Sequence, residues 1–229
     1  MRSVGIDLAC KCGEPSPSST AVCIIDEDFL VSLFCVTDDY EVLALVPEDN
    51  DCLIGIDASL KVPNDTGMRS TEKLVRRMGI NILPTSKSYL RIKFGGSRGE
   101  RMVDSLNYKG FRLADPEAHT GRLVYEVFPY ATVRCMMGRS PRYKHGGLAE
   151  RRQGCLDILR TIQNQHPELQ LPKTLGDQIV HADSSGLKSA SDKLDSLLAA
   201  VSVYRHAIYR GQSTRMIGDE ENGFILLCR

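Results

Sequence analysis

Short apolar runs separated by polar turns dominate the hydrophobic pattern of this chain and predict β-strands. Several runs are rich in β-branched residues, and the run at 52–58 is apolar until its acidic end, which is typical of a central parallel strand. We predict strands at residues 3–9, 20–25, 29–36, 52–58, 123–128 and 223–227, the last at an edge of the sheet. The polar segment 26–28 would join two of them into a hairpin.

Longer segments with apolar residues at helical spacing predict the helices. The strongest pattern covers residues 189–209, and another covers 148–165. We also predict helices at 38–46, 67–78 and 101–110, and a short helical or extended piece at 177–180. Composition predicts a loop at 11–19 and irregular structure at 84–100.

The order of these elements predicts an α/β fold with a mixed sheet. Three strands come first and would form an antiparallel meander, and the strands that alternate with helices would add parallel crossovers. With 229 residues and a hydrophobic share of 42%, the chain can bury the core of one large domain or two small ones.

The balance of charge limits the surfaces that could bind nucleic acid. Lys plus Arg equals Asp plus Glu, 29 each, so the chain is not a bulk electrostatic binder and any phosphate-binding surface must be a local patch. No run of about 18 apolar residues predicts a transmembrane helix. The first apolar run carries Asp7, unlike the apolar stretch of a signal peptide, and we expect a cytoplasmic protein with no membrane partner.

The eight cysteines favour reduced thiols in the core. Most of them lie within or beside apolar runs, where a free cysteine behaves as a small hydrophobic residue. The tight spacing Cys10-Lys11-Cys12 lacks a second matching pair, which argues against a structural zinc site. The absence of a signal peptide argues against a disulfide framework.

Acidic residues at the ends of two apolar runs suggest one cation site. The segments Gly5-Ile6-Asp7 and Gly55-Ile56-Asp57 each place an acid at the tip of a predicted strand. A buried carboxylate without a partner is very costly, so such acids need a reason to be there. Together with an acidic helix at Asp192 and Asp195, they suggest convergence on a cation.

The helical spacing separates Asp192 from Asp195. The apolar stripe of this helix is about 120° wide, and Asp195 lies about 60° from Leu198, at the margin of the stripe. Asp192 lies nearly opposite the centre of the stripe and could instead cap the helix, since Ser189-x-x-Asp192 fits a capping pattern. Asp195 is therefore the stronger candidate ligand.

The other acids also have structural alternatives. Asp7 and Asp57 could form turns after their strands. Glu126 alternates with Tyr125 and Val127 in its strand, so it could face a crevice as a substrate-side acid or pair with an arginine.

Further segments carry a resemblance to a known family. They are Tyr125-Glu126-Val127-Phe128-Pro129, Tyr143-Lys144, Arg152, and the helix that contains Asp192-Lys193-Leu194-Asp195. With the two Gly-Ile-Asp segments, the chain resembles domain-of-unknown-function family 429, whose members are described as predicted ribonuclease H-like nucleases. The resemblance covers nearly the whole chain. It implies a single ribonuclease H-like domain over residues 1–229, with a mixed five-stranded sheet, flanking helices, a C-terminal extra strand and an irregular insertion at 84–122.

The resemblance also implies a chemistry. Members of such a family would be metal-dependent nucleases that hydrolyse phosphodiester bonds with two divalent ions, Mg²⁺ or Mn²⁺. Asp7, Asp57 and Asp195 would be the metal ligands, with Asp192 as a fourth and Glu126 as a further catalytic acid. The expected partner is DNA or RNA, and an enzyme that acts on branched junctions would be a homodimer.

Basic residues near these segments are candidates for binding the substrate. Lys144 matches the family, and Arg152, Arg69 and Lys61 could line the same crevice. A second basic stretch, 87–98, is interleaved with Tyr89 and Phe94, whose rings could stack on unpaired bases. The alternative for this stretch is a solvated charged face.

Two other classes of function remain open. Nucleotide-binding phosphotransferases of the sugar-kinase and actin type share this strand order, but they normally contain a second such domain, for which 229 residues leave little room. A non-catalytic binding module that keeps the fold is the other possibility, because fold alone does not establish function.

Overall fold

The computed structural model describes residues 1–10, 12 and 19–229, and within them the chain forms an eight-stranded sheet. The strands are β1 (Arg2–Asp7), β2 (Thr20–Ile25), β3 (Val31–Val36), β4 (Cys52–Ile56), β5 (Arg112–Leu113), β6 (Arg122–Val127), β7 (Thr214–Asp219) and β8 (Gly223–Cys228). Their order in the sheet is β3-β2-β1-β4-β6-β8-β7, and β5 pairs with β6.

Helices cover both faces of the sheet. They are α1 (Asp39–Leu45), α2 (Ser70–Arg77), α3 (Lys87–Phe94), α4 (Arg98–Tyr108), α5 (Pro129–Met137), α6 (Leu148–Gln165), α7 (Lys173–His181) and α8 (Ser184–Ile208). Residues of α1 and α4 pack on one face of the sheet, and residues of α5 to α8 pack on the opposite face. No helix among the described residues is long and apolar enough to span a membrane.

The strand directions confirm the predicted mixed sheet. β1, β2 and β3 form an antiparallel meander, and β1, β4, β6 and β8 are mutually parallel neighbours. Parallel neighbours place their carboxyl ends at the same edge of a sheet, which is where ligands bind in open α/β folds. The ends of β1, β4 and β6 are therefore the part of the fold that positions a site.

The approach of α8 to β1 depends on a glycine. A Cβ atom at Gly5 would lie 1.9 Å from the carbonyl oxygen of Ser196 and 2.3 Å from the amide nitrogen of Ala200. Gly55 on β4 is also close, with its Cβ position 2.7 Å from the carbonyl oxygen of Ala199. Because neither glycine has a side chain, α8 lies directly on the two central strands.

Several predicted elements need correction. The stretch 84–122 is not irregular, since it contains α3 and β5 in addition to α4, which confirms the helix predicted at 101–110 with slightly earlier bounds. The sheet has more strands than the predicted five and one extra, and β8 lies between β6 and β7 rather than at an edge. The helix α5 and the strand β7 were not predicted, and α7 and α8 begin before the predicted positions. The predicted loop at 11–19 lies almost wholly outside the described residues.

Candidate metal centre

Three of the predicted acidic ligands meet at one cavity. Asp7 is the last residue of β1, Asp57 follows β4, and Asp195 lies on α8. Their side chains, with that of Glu126, line a cavity of about 750 Å³, which is in the range of small-molecule and cofactor sites. The parallel pairing of β1 with β4 brings the first two acids together, and the close packing of α8 on β1 adds the third.

Asp195 is fully buried, and two consecutive residues hold its carboxylate. The Tyr143 hydroxyl donates a hydrogen bond to Asp195 Oδ1 at 2.9 Å. The Lys144 ammonium forms an ion pair with Oδ2. Apart from this ion pair, Oδ2 has no hydrogen-bond partner among the described residues.

The carboxylates raise one another's pKa values. Burial raises the pKa of Asp7 well above its usual value, and the charges of Asp195 and Asp57 raise it further. Burial and the charge of Asp195 raise the pKa of Asp57 to about 7. Burial also raises the pKa of Asp195, against the opposing charge of Lys144. The cluster therefore carries more negative charge than its surroundings stabilise.

Lys144 supplies the positive charge at this cluster. Burial acts to lower the pKa of its ammonium group, but the charges of Asp195 and Asp7 outweigh burial and raise it. Its side chain is 40% exposed, whereas the side chain of Asp195 is completely buried. The ammonium group therefore lies between the buried acids and the solvent-exposed side of the cavity.

The donor set fits a hard divalent cation. Carboxylate oxygens are the preferred ligands of Mg²⁺ and Mn²⁺, and here they come from three parts of the fold, β1, the end of β4 and α8. Over the described part of the chain, no three His, Cys, Asp or Glu side chains already lie close enough to hold an ion. In this arrangement the positive charge in contact with the acids is the Lys144 ammonium, paired with Asp195.

Asp192 is not brought into the cavity. Its carboxylate accepts a 2.8 Å bond from Lys188 one turn earlier, and 16% of its side chain is exposed. Its alternative role as a helix cap is wrong, because α8 begins at Ser184 and Asp183 caps it by accepting a bond from the Gly186 amide. Asp192 acts on the cluster through its charge, which raises the pKa of Asp7 and that of Asp195.

Glu126 and Arg69 pair with each other at the wall of the cavity. Arg69 donates to both oxygens of Glu126, at 2.5 and 3.0 Å, and its Nε atom donates to Glu72 at 2.9 Å. Glu126 also accepts a 2.9 Å bond from the amide of Leu60. Of the two alternatives for Glu126, the structure has the arginine pair. Because Arg69 is buried and bonded to protein acceptors, we assign it to supporting the cavity wall rather than to contacting a substrate.

Of the remaining basic candidates, Lys144 lies inside the site, and Arg152 and Lys61 lie outside it. Lys144 lines the cavity, as predicted for a substrate-side cation, although its partner here is Asp195. Arg152 lies on α6 and donates to the carbonyl oxygens of Ile179 and Ala182 at the end of α7. Lys61 donates to the carbonyl oxygen of Glu220. The structure does not bring Arg152 or Lys61 to the acids.

The hydrogen bond from Tyr143 to Asp195 was not foreseen from the sequence. Tyr143 was noted only as part of the Tyr143-Lys144 pair, and no spacing rule links it to a residue 52 positions later on α8. A buried tyrosine hydroxyl needs a hydrogen-bond partner. The position of Tyr143 next to Lys144 was the available signal that this hydroxyl could belong to the site.

The comparisons with known proteins identify a family but no characterised relative. No curated protein and no solved structure matches the chain. The family model described as a protein of unknown function, DUF429, matches residues 5–222. This match includes Asp7, Asp57 and Asp195 and nearly all of the described fold. The chain therefore belongs to the DUF429 family.

Proposed function

We propose that this protein is a metal-dependent nuclease that hydrolyses phosphodiester bonds with Mg²⁺ or Mn²⁺ held by Asp7, Asp57 and Asp195. The observation that carries this proposal is the meeting of three acids with raised pKa values at one cavity. A divalent cation would offset their mutual repulsion more fully than a single ammonium group. When bound, two such ions activate water and stabilise the leaving oxygen of a phosphodiester.

The strand order supports a ribonuclease H-like fold for this chemistry. Three antiparallel strands are followed by parallel strands, and the acids follow the neighbouring strands β1 and β4. The third acid comes from the long helix α8 that packs across them. We infer that this arrangement is the ribonuclease H-like architecture to which the resemblance points.

The residues around the acids would divide the work between positioning and charge. Tyr143 holds one oxygen of Asp195, and the other oxygen, which pairs with Lys144 in this structure, would take the ion. The ion pair between Arg69 and Glu126 fixes the part of the cavity wall that β6 forms. Lys144, on the exposed side of the acids, can balance the charge of a substrate phosphate.

Calorimetric titration of Mn²⁺ tests the metal site without a guess at the substrate. We expect binding to the wild type and its loss in Asp7→Asn and in Asp195→Asn, because each variant removes a charged ligand. Asp192→Asn is the matched control, since it removes an acid of the same helix that lies outside the cavity, and it should bind as the wild type does.

A nuclease screen with single-stranded, duplex and branched substrates then tests the activity. Cleavage that requires the metal and is absent in both ligand variants would support the proposal. Wild-type Mn²⁺ affinity in Asp7→Asn or Asp195→Asn would refute the ligand assignment. Metal binding without cleavage of any substrate would favour a non-catalytic binding module.

A further inference from the structure

Part of the cavity wall is a cluster of two aromatic rings and a lysine on α3. The rings of Tyr89 and Phe94 pack edge to face, with their centroids 5.8 Å apart. The ammonium group of Lys93 lies 5.2 Å from the centroid of Tyr89 and 5.3 Å from that of Phe94. All three side chains line the same cavity as Asp7, Asp57 and Asp195.

Packing of the protein core does not account for these rings. No residue of α3 is fully buried, and both rings remain partly exposed at the cavity. Exposed aromatic surface gathered at a cavity is typical of a binding site rather than of a folding requirement. The exposed parts of these two rings can therefore contact a flat apolar group of a ligand.

A second pair of rings lines the cavity. Phe128 and Tyr130 follow β6, and their centroids are 5.8 Å apart. The cavity thus combines acids, aromatic faces and several cationic side chains, among them Lys93 and Lys144. A nucleotide has matching parts, because its base offers a flat face for stacking and its phosphate needs a cation or a metal ion.

A base inside an intact duplex cannot use these rings. Its two faces are stacked on neighbouring bases, and it must leave the stack before a protein ring can cover it. A volume of about 750 Å³ accommodates a ligand of nucleotide size. The aromatic part of the cavity therefore selects for nucleotides that are unpaired.

We propose that the cavity binds an unpaired nucleotide of a nucleic acid strand, with its base face to face with one of the perpendicular rings of Tyr89 and Phe94 and edge-on to the other, and its phosphate near Lys93. This inference rests on the proposed function, which assigns the acids to metal binding, and it adds the class of substrate. The substrate is a single strand, a strand end or an unstacked position, and not an intact duplex.

Fluorescence anisotropy with a labelled single strand of about 15 thymidines tests this assignment, against the same strand paired with oligoadenylate. The measurement is made in Mg²⁺ directly after mixing, and a denaturing gel verifies that the strand is intact. We expect the single strand to bind at least tenfold more tightly than the duplex. Tyr89→Ala and Phe94→Ala should each weaken its binding about tenfold, the size expected for loss of one stacking ring.

Tyr108→Ala is the matched control. Tyr108 lies on the neighbouring helix α4 and is 94% exposed, so its loss removes an aromatic ring outside the cavity and should leave binding unchanged. Tyr89→Phe keeps the ring and should retain the affinity of the wild type. Circular dichroism of each variant separates loss of binding from loss of folding.

The outcomes distinguish this inference from the proposed function. Equal affinity for strand and duplex, no strand binding, or unchanged binding in both alanine variants would overturn the inference, even with the metal site intact. Free thymidine monophosphate that competes as well as the strand would also overturn it. A strand preference that Tyr89→Ala removes, in a protein that binds no Mn²⁺, would support the inference while the proposed function fails.

Discussion

At the scale of single residues, the acids of the cavity are held in a costly arrangement. The charge of Asp195 raises the pKa values of Asp7 and Asp57, the charge of Asp57 also raises that of Asp7, and Lys144 compensates only part of this repulsion. Groups whose pKa values are shifted by burial and by like charges concentrate at functional sites. The cost in stability is the physical reason to expect that this cluster has a role beyond folding.

The raised pKa of Asp57 makes the stability cost of this cluster depend on pH. The pKa of Asp57 in the folded protein, about 7, is raised above the ordinary value of 3.8, so the folded state binds more protons than the unfolded state between these values. The free energy of unfolding therefore falls as pH rises through this window. Without metal, Asp57→Asn should remove this fall and be more stable than the wild type at pH 8 by up to about 4 kcal/mol, since the pKa is raised from 3.8 to about 7 and one pKa unit corresponds to about 1.4 kcal/mol.

Urea unfolding in a chelator at several pH values measures this difference. At pH 4 the wild type and Asp57→Asn should have nearly the same stability, because Asp57 is then protonated in the folded state. A wild type that gains stability relative to the variant between pH 4 and 8 would contradict the shift. Saturating Mn²⁺ should reverse the order at pH 8, because only the wild type keeps the complete ligand set.

The burial of Asp195 was beyond prediction from helical angles. The angular argument treats α8 as a surface helix with one apolar stripe, which would leave Asp195 at the margin. In the structure nearly every residue from Leu194 to Tyr204 is buried, so the helix has no solvent margin in this part. Sequence could identify Asp195 as a candidate, but its depth and its bond from Tyr143 depend on the packing of α5 to α8.

At the scale of elements, the contact between β1 and α8 sets the distance between two of the acids. Asp7 lies two residues after Gly5, and Asp195 lies one residue before Ser196. A Cβ atom at Gly5 would overlap the carbonyl oxygen of Ser196. The narrow contact therefore does more than fill the core, since it determines how near the two carboxylates come.

Gly5→Ala should separate these two elements. The new methyl group would overlap backbone atoms of α8 on both sides, and such overpacking costs about 3 kcal/mol or more. We expect a lower melting temperature and weaker Mn²⁺ binding in the folded fraction. Gly176→Ala on α7 is the control, because nothing lies within 4 Å of its Cβ position, and alanine in a helix should raise stability by up to about 1 kcal/mol.

Two of the elements that the sequence missed, α3 and β7, lack buried apolar periodicity. α3 has no fully buried residue, and its helix ends at Gly95 with a φ of 82°, so its sequence resembles a loop. β7 is an edge strand in which only Thr214 is fully buried. The strands β1, β2, β4 and β6 and the helix α6 were predictable, because burial on both sides or on one clear face leaves a pattern in the sequence.

At the scale of the whole molecule, the proposed metal site joins three separate parts of the chain. An ion held by Asp7, Asp57 and Asp195 would link β1, the end of β4 and α8, and so would bind the folded chain and not the unfolded one. Metal binding should therefore stabilise the entire fold rather than one loop.

Thermal unfolding with and without Mn²⁺ measures this effect. At an Mn²⁺ concentration about 100 times the dissociation constant, the gain is about 2.7 kcal/mol, which corresponds to roughly 5–10 °C for a chain of this size. Asp7→Asn and Asp195→Asn should show no rise, and Asp192→Asn should show the full rise. An equal rise in all four proteins would mean that the ion binds elsewhere.

The wide separation of the acids in the sequence also sets the moment at which the site can exist during synthesis. Residues 7 and 57 leave the ribosome early, but residue 195 belongs to the last long helix. A nascent chain without α8 has an open face on β1 and only two of the three acids. If the protein cuts nucleic acid as proposed, translation itself delays that activity, so the messenger and ribosomal RNA beside the growing chain would be spared until α8 has been synthesised.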